Sequence, residues 1–190
     1  MLGFPDFPLI LNGICSNAFK KLQISQFKDA CEFVCSLPYK RNVNKKNPLT
    51  VLVEGHGTCS TKHALLKRLA DEQDHTEITL QLGIFEMNEN NSPVLSQLLK
   101  ENQLKAIPEA HCYLKYNNRS YDFTGNIKLT LDIEKDILTE YEIYPNEIDT
   151  RKQEIHKKYI NQWLFENKIT HLNQQQVWEL REACIERISK

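Results

Sequence analysis

A glycine-rich segment, residues 54–59 (EGHGTC), lies between two apolar stretches and restricts the possible fold more than any other part of the chain. The apolar residues 49–53 before it predict a short strand, and the pattern of residues 60–70 after it predicts a buried helix. Cys59 is then expected in the first helical turn, where unpaired N–H groups and the helix dipole favour a thiolate. The local sequence is equally consistent with a structural cysteine at a helix start.

Length, composition and charge indicate an ordinary globular protein. The chain has 190 residues, of which 41% are hydrophobic and 26% charged, and its formal net charge is -1. We expect one domain over residues 1–190. A nearly neutral chain has no overall field that attracts nucleic acid or an anionic membrane, so neither is expected as a partner. No stretch approaches the roughly 18 apolar residues that a membrane span needs.

The first residues and the cysteines favour a reduced, cytoplasmic protein. Residues 1–11 are apolar but contain two prolines and an aspartate, and no basic residues precede them, so they do not resemble a signal peptide. The six cysteines are too sparse for a disulfide scaffold. Cys31 and Cys35 have helical spacing rather than the two-residue spacing of zinc and redox motifs, and they are predicted to pack in the core.

Hydrophobic periodicity predicts a mixture of helices and antiparallel strands. Helices are expected over residues 25–37, 94–101 and 148–165 and in a last helix with Asn173 as its N-cap, whereas residues 1–24 are expected to be irregular. Strands are expected over residues 76–87, with a bulge at Gly83, and over residues 109–116 and 119–124. The predicted class is α+β, with an antiparallel sheet, a central helix starting at Cys59 and a C-terminal helical layer.

The two asparagines at 117–118 separate two strand-like runs, which is typical of a two-residue hairpin turn because asparagine tolerates positive φ. In this register His111 lies opposite Thr124, and Asp122 is diagonal to His111 on the same face, roughly 7 Å away between backbones. An aspartate in that position can accept a hydrogen bond from the imidazole and hold its orientation. The face that carries Cys112 is predicted to enter the core, while the His111 face lines a cleft.

The remaining histidines suggest one alternative. His63 lies one helical turn after Cys59, and together with His56 the two form a possible zinc site, with His111 as a candidate for a further ligand, since imidazole and thiolate both suit that metal. Three further histidines are predicted to lie in a polar turn or on the surface of the helical tail: His75, His156 and His171.

Four short segments resemble, in order, the transglutaminase-like superfamily; they are residues 37–39 (LPY), 57–60 (GTCS), 110–111 (AH) and 121–124 (YDFT). The resemblance extends from about residue 25 to residue 130. It implies a papain-like core in which Cys59 is the nucleophile, His111 the base and Asp122 the third member of a triad. Ser60 stands where an aromatic residue often follows the nucleophile. Glu54 and His56 are candidates for the oxyanion-binding side chain by position only.

The resemblance implies a thiol-dependent acyl-transfer enzyme that acts on a peptide or amide substrate through an acyl-enzyme on Cys59. Hydrolysis is preferred to cross-linking, because nothing resembles the accessory domains or calcium sites of cross-linking enzymes, and no cofactor is implied. The catalytic core is expected over about residues 25–130, and a helical C-terminal extension over about residues 136–190. The alternative is a catalytically silent transglutaminase-like module that binds a peptide in the same cleft.

Overall fold

The computed structural model describes residues 2–125 and 128–188. The strands are β1 (Thr79–Asn88), β2 (Ala106–Tyr116), β3 (Arg119–Tyr121) and β4 (Thr139–Ile143). They form a four-stranded antiparallel sheet in the order β3-β2-β1-β4. The helices are α1 (Ile14–Lys21), α2 (Phe27–Ser36), α3 (Thr50–Glu54), α4 (Cys59–Asp71), α5 (Ser96–Glu101), α6 (Ile133–Asp136), α7 (Thr150–Glu166) and α8 (Gln174–Ile188).

The α+β class and the antiparallel sheet are therefore confirmed. A 3₁₀ turn, Pro93–Leu95, leads directly into α5. Asn173 caps α8 as predicted, because its Oδ1 accepts a hydrogen bond from the backbone N–H of Gln176 (3.0 Å). Of the helices in the described residues, none is long and apolar enough to cross a bilayer.

The hairpin between β2 and β3 has the predicted register. Tyr116 pairs with Arg119 and Leu114 pairs with Tyr121, so residues 117–118 form a two-residue turn. Both turn residues have positive φ, 49° and 59°, which is the conformation that this turn requires. β3 is shorter than predicted, since it ends at Tyr121. The next residues leave the strand because side chains of α4, rather than a neighbouring strand, bind their backbone.

Two predictions for the first 54 residues were wrong. Residues 49–53, expected as a strand, belong to α3, because a short apolar run does not distinguish a strand from a buried helical turn. α1 lies in the region expected to be irregular. Its first N–H groups are capped from a distance: Glu72 accepts hydrogen bonds from the backbone N–H of Cys15 (2.8 Å) and of Ser16 (2.7 Å). A cap that lies 57 residues further along the chain gives no local signal.

β4 was also missed, because the end of the chain was expected to be mostly helical. The strand is short and carries two glutamates, and Ile143 is its one buried residue. It lies at the edge of the sheet, where a strand needs few apolar residues. β1, in contrast, continues through Gly83 without a break.

The chain divides into two compact units whose borders fall within β1 and β2. The first comprises Met1–Leu82, Cys112–Asn126 and Tyr141–Asp149, and the second comprises Gly83–His111, Ile127–Glu140 and Thr150–Lys190. The single domain over residues 1–190 stays a prediction.

The first unit is organised around α4, in which every residue except Arg68 and Asp71 is buried. α1, α2 and α3 all pack against this helix. The N-terminal segment covers one side of the unit with two phenylalanines. Phe7 stacks on Phe27 with ring centroids 4.4 Å apart, and Phe4 lies 4.3 Å from the ring of Tyr121.

The second unit has its own core, in which α7 and α8 pack together and contribute Trp163 and Val177 beside Phe85 of β1. A buried ion pair joins β2 to α8: the Nε and Nη2 groups of Arg181 each donate to an oxygen of Glu109 at 2.5 Å. The guanidinium offsets the effect of burial and lowers the pKa of Glu109.

His156 was predicted on the surface, and this prediction was wrong. The imidazole of His156 is 1% exposed, and its Nε2 lies 2.9 Å from the carbonyl oxygen of Pro108, to which it donates. It packs edge-on against Trp178 of α8. The helical tail folds against β2 at this point, which the pattern of α7 alone does not indicate.

His156 should make the stability of the protein depend on pH. Burial lowers its pKa from 6.5 to about 4, so the native state keeps the imidazole neutral while the unfolded chain takes up a proton. The free energy of unfolding is then lost as the pH falls from about 6.5 towards 4. We expect the loss between pH 7.5 and pH 5, measured by urea unfolding, to be about 2 kcal/mol larger in the wild type than in His156→Gln.

Glutamine keeps an N–H donor for the Pro108 carbonyl, so the variant removes the titrating group and retains the hydrogen bond. The control is His171→Gln at an exposed histidine, which should keep the wild-type pH dependence. Equal pH dependence in His156→Gln and the wild type would contradict the prediction.

Candidate functional site

Cys59 is the first residue of α4, as predicted from the sequence. Thr58 is the N-cap, and its backbone N–H donates to Oγ1 of Thr61 at 2.9 Å. The Cys59 side chain is 5% exposed, and its Sγ lies 3.8 Å from Oγ of Ser60. The thiol thus lies in the first turn of a thirteen-residue helix, where the helix dipole favours negative charge.

The two glycines before Cys59 allow the chain to turn sharply into α4. Gly55 has a φ of +67° and ends α3 in the left-handed region. Gly57 forms backbone hydrogen bonds with Pro38 and Lys40, which places the turn against the segment after α2. A Cβ atom on Gly57 would lie 3.0 Å from a side-chain carbon of Val51, so only glycine fits without displacing a neighbour.

Asn42 supports the same turn, and sequence reasoning missed it. Its Nδ2 donates to the carbonyl oxygen of His56 (2.8 Å), and its Oδ1 accepts a hydrogen bond from Oγ1 of Thr61 (2.6 Å). Asn42 lies in a polar loop and is 7% exposed, and no motif marks it. It connects the loop before α3 to the glycine-rich segment and to the first turn of α4.

Glu54 and His56, the positional candidates for an oxyanion-binding side chain, are used in local structure. Glu54 accepts hydrogen bonds from Oγ1 of Thr50 (2.8 Å) and from the backbone N–H of Val43 (3.2 Å). The Thr50 hydroxyl, followed by these other donors, lowers the pKa of Glu54. His56 Nε2 lies 3.2 Å from the carbonyl oxygen of Arg41.

His63 binds the segment that follows β3 to α4. The backbone N–H of Phe123 donates to Nε2 of His63 at 2.7 Å, so Nε2 is unprotonated and the proton is on Nδ1. Nδ1–H then donates to the carbonyl oxygen of Cys59 (2.7 Å). The side chain is wholly buried. With both ring nitrogens bound to backbone groups, His63 has a structural part in the site and is a poor general base.

Lys62, the residue before His63, binds the same segment at the next residue, Thr124. Its Nζ donates to the carbonyl oxygens of Thr124 (2.7 Å) and Leu37 (2.6 Å). The side chain is wholly buried. Sequence reasoning missed this residue, because a lysine within a predicted buried helix carries no motif; its one signal was a charge at an apolar position.

Asp122 lies just after β3 and keeps 31% of its side chain exposed. Its Oδ1 accepts a hydrogen bond from the backbone N–H of Thr124 (2.8 Å) and lies 3.5 Å from Nε2 of His63. Because Nε2 already accepts the Phe123 N–H, His63 is neutral, and the 3.5 Å approach is not an ion pair. The structure therefore brings Cys59, His63 and Asp122 into one group in the first unit.

His111 lies in β2 and belongs to the second unit. Its imidazole is 3% exposed and meets the ring of Phe85 edge-on at 6.3 Å. The expected alternation of a core face and a cleft face was wrong, because both faces of β2 are covered: Cys112 and Tyr113 are equally buried. Cys112 lies in the core as predicted, and its Sγ donates to Oγ of Ser60 at 3.5 Å. The pairing of His111 with Cys59 and with Asp122 stays a prediction.

The alternative of a zinc site gains no support. Among residues 2–125 and 128–188, no group of three or more His, Cys, Asp or Glu side chains is arranged to hold a metal ion. His63 is occupied by backbone groups of Cys59 and Phe123, and His56 faces Arg41.

A pocket of about 470 Å³ lies in the second unit, and none of the residues predicted to be catalytic lines it. It is lined by the end of β1, by α5 and by residues 104–106. Its carboxylates are already bound: Glu89 pairs with Lys100 at 3.2 Å, and Glu86 accepts a hydrogen bond from Nε1 of Trp163. The pocket adds no chemistry to the candidate site.

Comparison with known proteins does not identify a family: no family model, no curated protein and no solved structure matches the chain. The transglutaminase-like resemblance therefore stays a proposal.

The hydrogen bonds of His63 should make it one of the more sensitive positions of the first unit. His63→Ala leaves the Phe123 N–H without its acceptor and opens a cavity beside α4, so we expect unfolding to become easier by about 2–4 kcal/mol. Urea unfolding at pH 7.5 measures the change. His171→Ala, at an exposed histidine, is the control and should change stability by less than about 0.5 kcal/mol. Similar values for the two variants would show that the buried bonds contribute little.

Proposed function

We propose that the protein is a thiol-dependent acyl-transfer enzyme that acts on amide bonds of a peptide or a related amide. Cys59 attacks the carbonyl carbon, and His111 takes the thiol proton and returns it to the leaving amine. Asp122 holds the imidazole of His111 in the productive orientation. Water then resolves the acyl-enzyme, with His111 as base for the second step. Hydrolysis is the outcome that we propose.

One observation in the first unit carries the proposal. A cysteine at the start of a buried helix shares its surroundings with an exposed aspartate, because α4 itself binds the backbone of the residues after Asp122. Ser60 and Cys112, the chain neighbours of Cys59 and His111, are joined by a hydrogen bond. These contacts support a thiol site at the start of α4.

A second observation favours the silent binding module. Cys59 is 5% exposed and His111 is 3% exposed, so an enzyme must open to admit an amide substrate. A binding module has no such requirement at the thiol itself. The two functions differ in the reactivity of Cys59, which can be measured without knowledge of the substrate.

The test is the pH dependence of iodoacetamide alkylation at each cysteine of the native protein, followed by peptide mass spectrometry. If the protein is the proposed enzyme, Cys59 reacts faster than the other cysteines. Its reactivity then persists well below pH 8.5, which is about the pKa of a free thiol. In His111→Gln the reactivity of Cys59 below neutral pH should be lost, because the thiolate loses its imidazolium partner. Asp122→Asn should act in the same direction to a smaller extent.

A chromogenic acetate ester supplies the second readout, since it acetylates an activated thiolate without any need for specificity. We expect an acetylated Cys59 peptide in the wild type and none in Cys59→Ala, with Cys184→Ala as the control for a buried core thiol. If Cys59 is no more reactive than Cys31 or Cys184, the proposed enzymatic function is contradicted. Peptide binding that survives Cys59→Ala would then support the module.

A further inference from the structure

Lys62 is an unusual residue for the middle of a buried helix. It is 0% exposed, so its ammonium group is removed from water along with its side chain. The hydrogen-bond partners of Nζ are two backbone carbonyl oxygens, those of Leu37 and Thr124. Among the described residues no carboxylate lies within ion-pair distance of this Nζ. The two carbonyl oxygens accept two of the three N–H donors of the ammonium, but they carry no net charge that could neutralise it.

Three titratable side chains act on this charge. Cys59 lies three residues before Lys62 on α4, so the two side chains share one face of that helix; Cys35 lies near the end of α2, and Asp122 lies after β3. Burial lowers the pKa of Lys62, while the charges of Cys35, Asp122 and Cys59 act in the opposite direction. Burial raises the pKa of the Cys35 thiol, and Lys62 counteracts that effect.

The two buried lysines of α4, Lys62 and Lys67, differ in whether a carboxylate neutralises their charge. Lys67 lies on the same helix and is also buried, but its Nζ is paired with a carboxylate oxygen of Asp71. Its charge is therefore neutralised locally. Lys62 is the buried lysine of α4 that has no carboxylate partner among the described residues.

We propose that Lys62 is a positioning residue of this site: its buried ammonium is the counter-charge of the Cys59 thiolate and fixes the segment that contains Asp122 to α4. The inference rests on the thiol chemistry proposed for Cys59, and it assigns the fixed positive charge that this chemistry uses. An ammonium in low-dielectric surroundings favours a nearby anion more strongly than one in water, because solvent screens it less. The two carbonyls hold that charge in one place, so it needs no rearrangement when the thiolate forms.

Two substitutions separate the charge from the hydrogen bonds. Lys62→Met keeps much of the side-chain volume and removes both the charge and the donors. Lys62→Gln removes the charge and retains an N–H donor for a carbonyl oxygen. Lys67→Met is the matched control, since it removes a buried lysine of the same helix whose charge already has a partner.

The readout is the pH profile of Cys59 alkylation by iodoacetamide, in variants shown by circular dichroism to be folded. We expect both Lys62 variants to shift the profile to higher pH, with the rate at pH 7 about tenfold lower and the limiting rate at high pH nearly unchanged. Lys67→Met should keep the wild-type profile. A purely structural Lys62 would leave the profile of Lys62→Gln at its wild-type position, and this result would overturn the proposal.

The coupling is reciprocal, which gives a second measurement that leaves Lys62 in place. The side-chain nitrogen of Lys62 can be followed by NMR through a pH titration of the wild type and of Cys59→Ser. We expect its midpoint to move to lower pH in Cys59→Ser and to stay in place in Cys184→Ser. An unchanged midpoint in Cys59→Ser would overturn the proposal even if the Lys62 variants failed to fold.

The pH profile of the wild type shows whether the role of Lys62 or the proposed acyl-transfer function is wrong. If Cys59 of the wild type reacts as an ordinary buried thiol, the acyl-transfer function fails and Lys62 has no thiolate to stabilise. If the wild-type thiol is activated but both Lys62 variants keep its profile, the enzyme stands and the role of Lys62 is refuted.

Discussion

Two consecutive side chains of α4, Lys62 and His63, bind the backbone that follows Asp122, and the candidate site depends on this connection. His63 accepts the Phe123 N–H, and Lys62 donates to the Thr124 carbonyl. These backbone groups lie beyond the paired residues of the hairpin. They therefore need other hydrogen-bond partners, because an unpaired buried backbone group is destabilising. The helix that begins at Cys59 thus supplies bonds that a neighbouring strand would otherwise provide, and the position of Asp122 relative to the thiol follows from it.

This arrangement places polar groups where an ordinary core helix has apolar ones, and it has an energetic consequence. A buried ammonium and a buried imidazole lose their hydration, and each regains hydrogen bonds to backbone atoms. Glu109 and Arg181 of the second unit show the other solution, a buried charge that is neutralised by its own ion pair. Lys62 has no such carboxylate partner among the described residues, and this difference is the basis of the role proposed for it at Cys59.

The parts of the fold that depend on local sequence were predictable. The start of α4 and the register of the β2–β3 hairpin follow from glycines and asparagines whose backbone requirements act over a few residues. The parts set by distant contacts were not. α1 depends on Glu72, and the burial of His156 depends on how α7 meets β2. Strand alternation assigned the residues of β2 to two faces, but it carries no information on whether either face is covered.

For the site, the sequence indicated which residue types carry the proposed chemistry and missed those that hold them. Asn42 and Lys62 belong to no motif, and His63 was considered only as a zinc ligand, yet they bind the turn before Cys59 and the segment after Asp122. Because Lys62 and His63 share the helix of Cys59, any substitution there changes packing together with charge. A lower rate alone therefore cannot separate the two effects. The position of the pH profile can, since lost packing reduces the amount of folded protein whereas a lost charge changes the pH at which the thiol ionises.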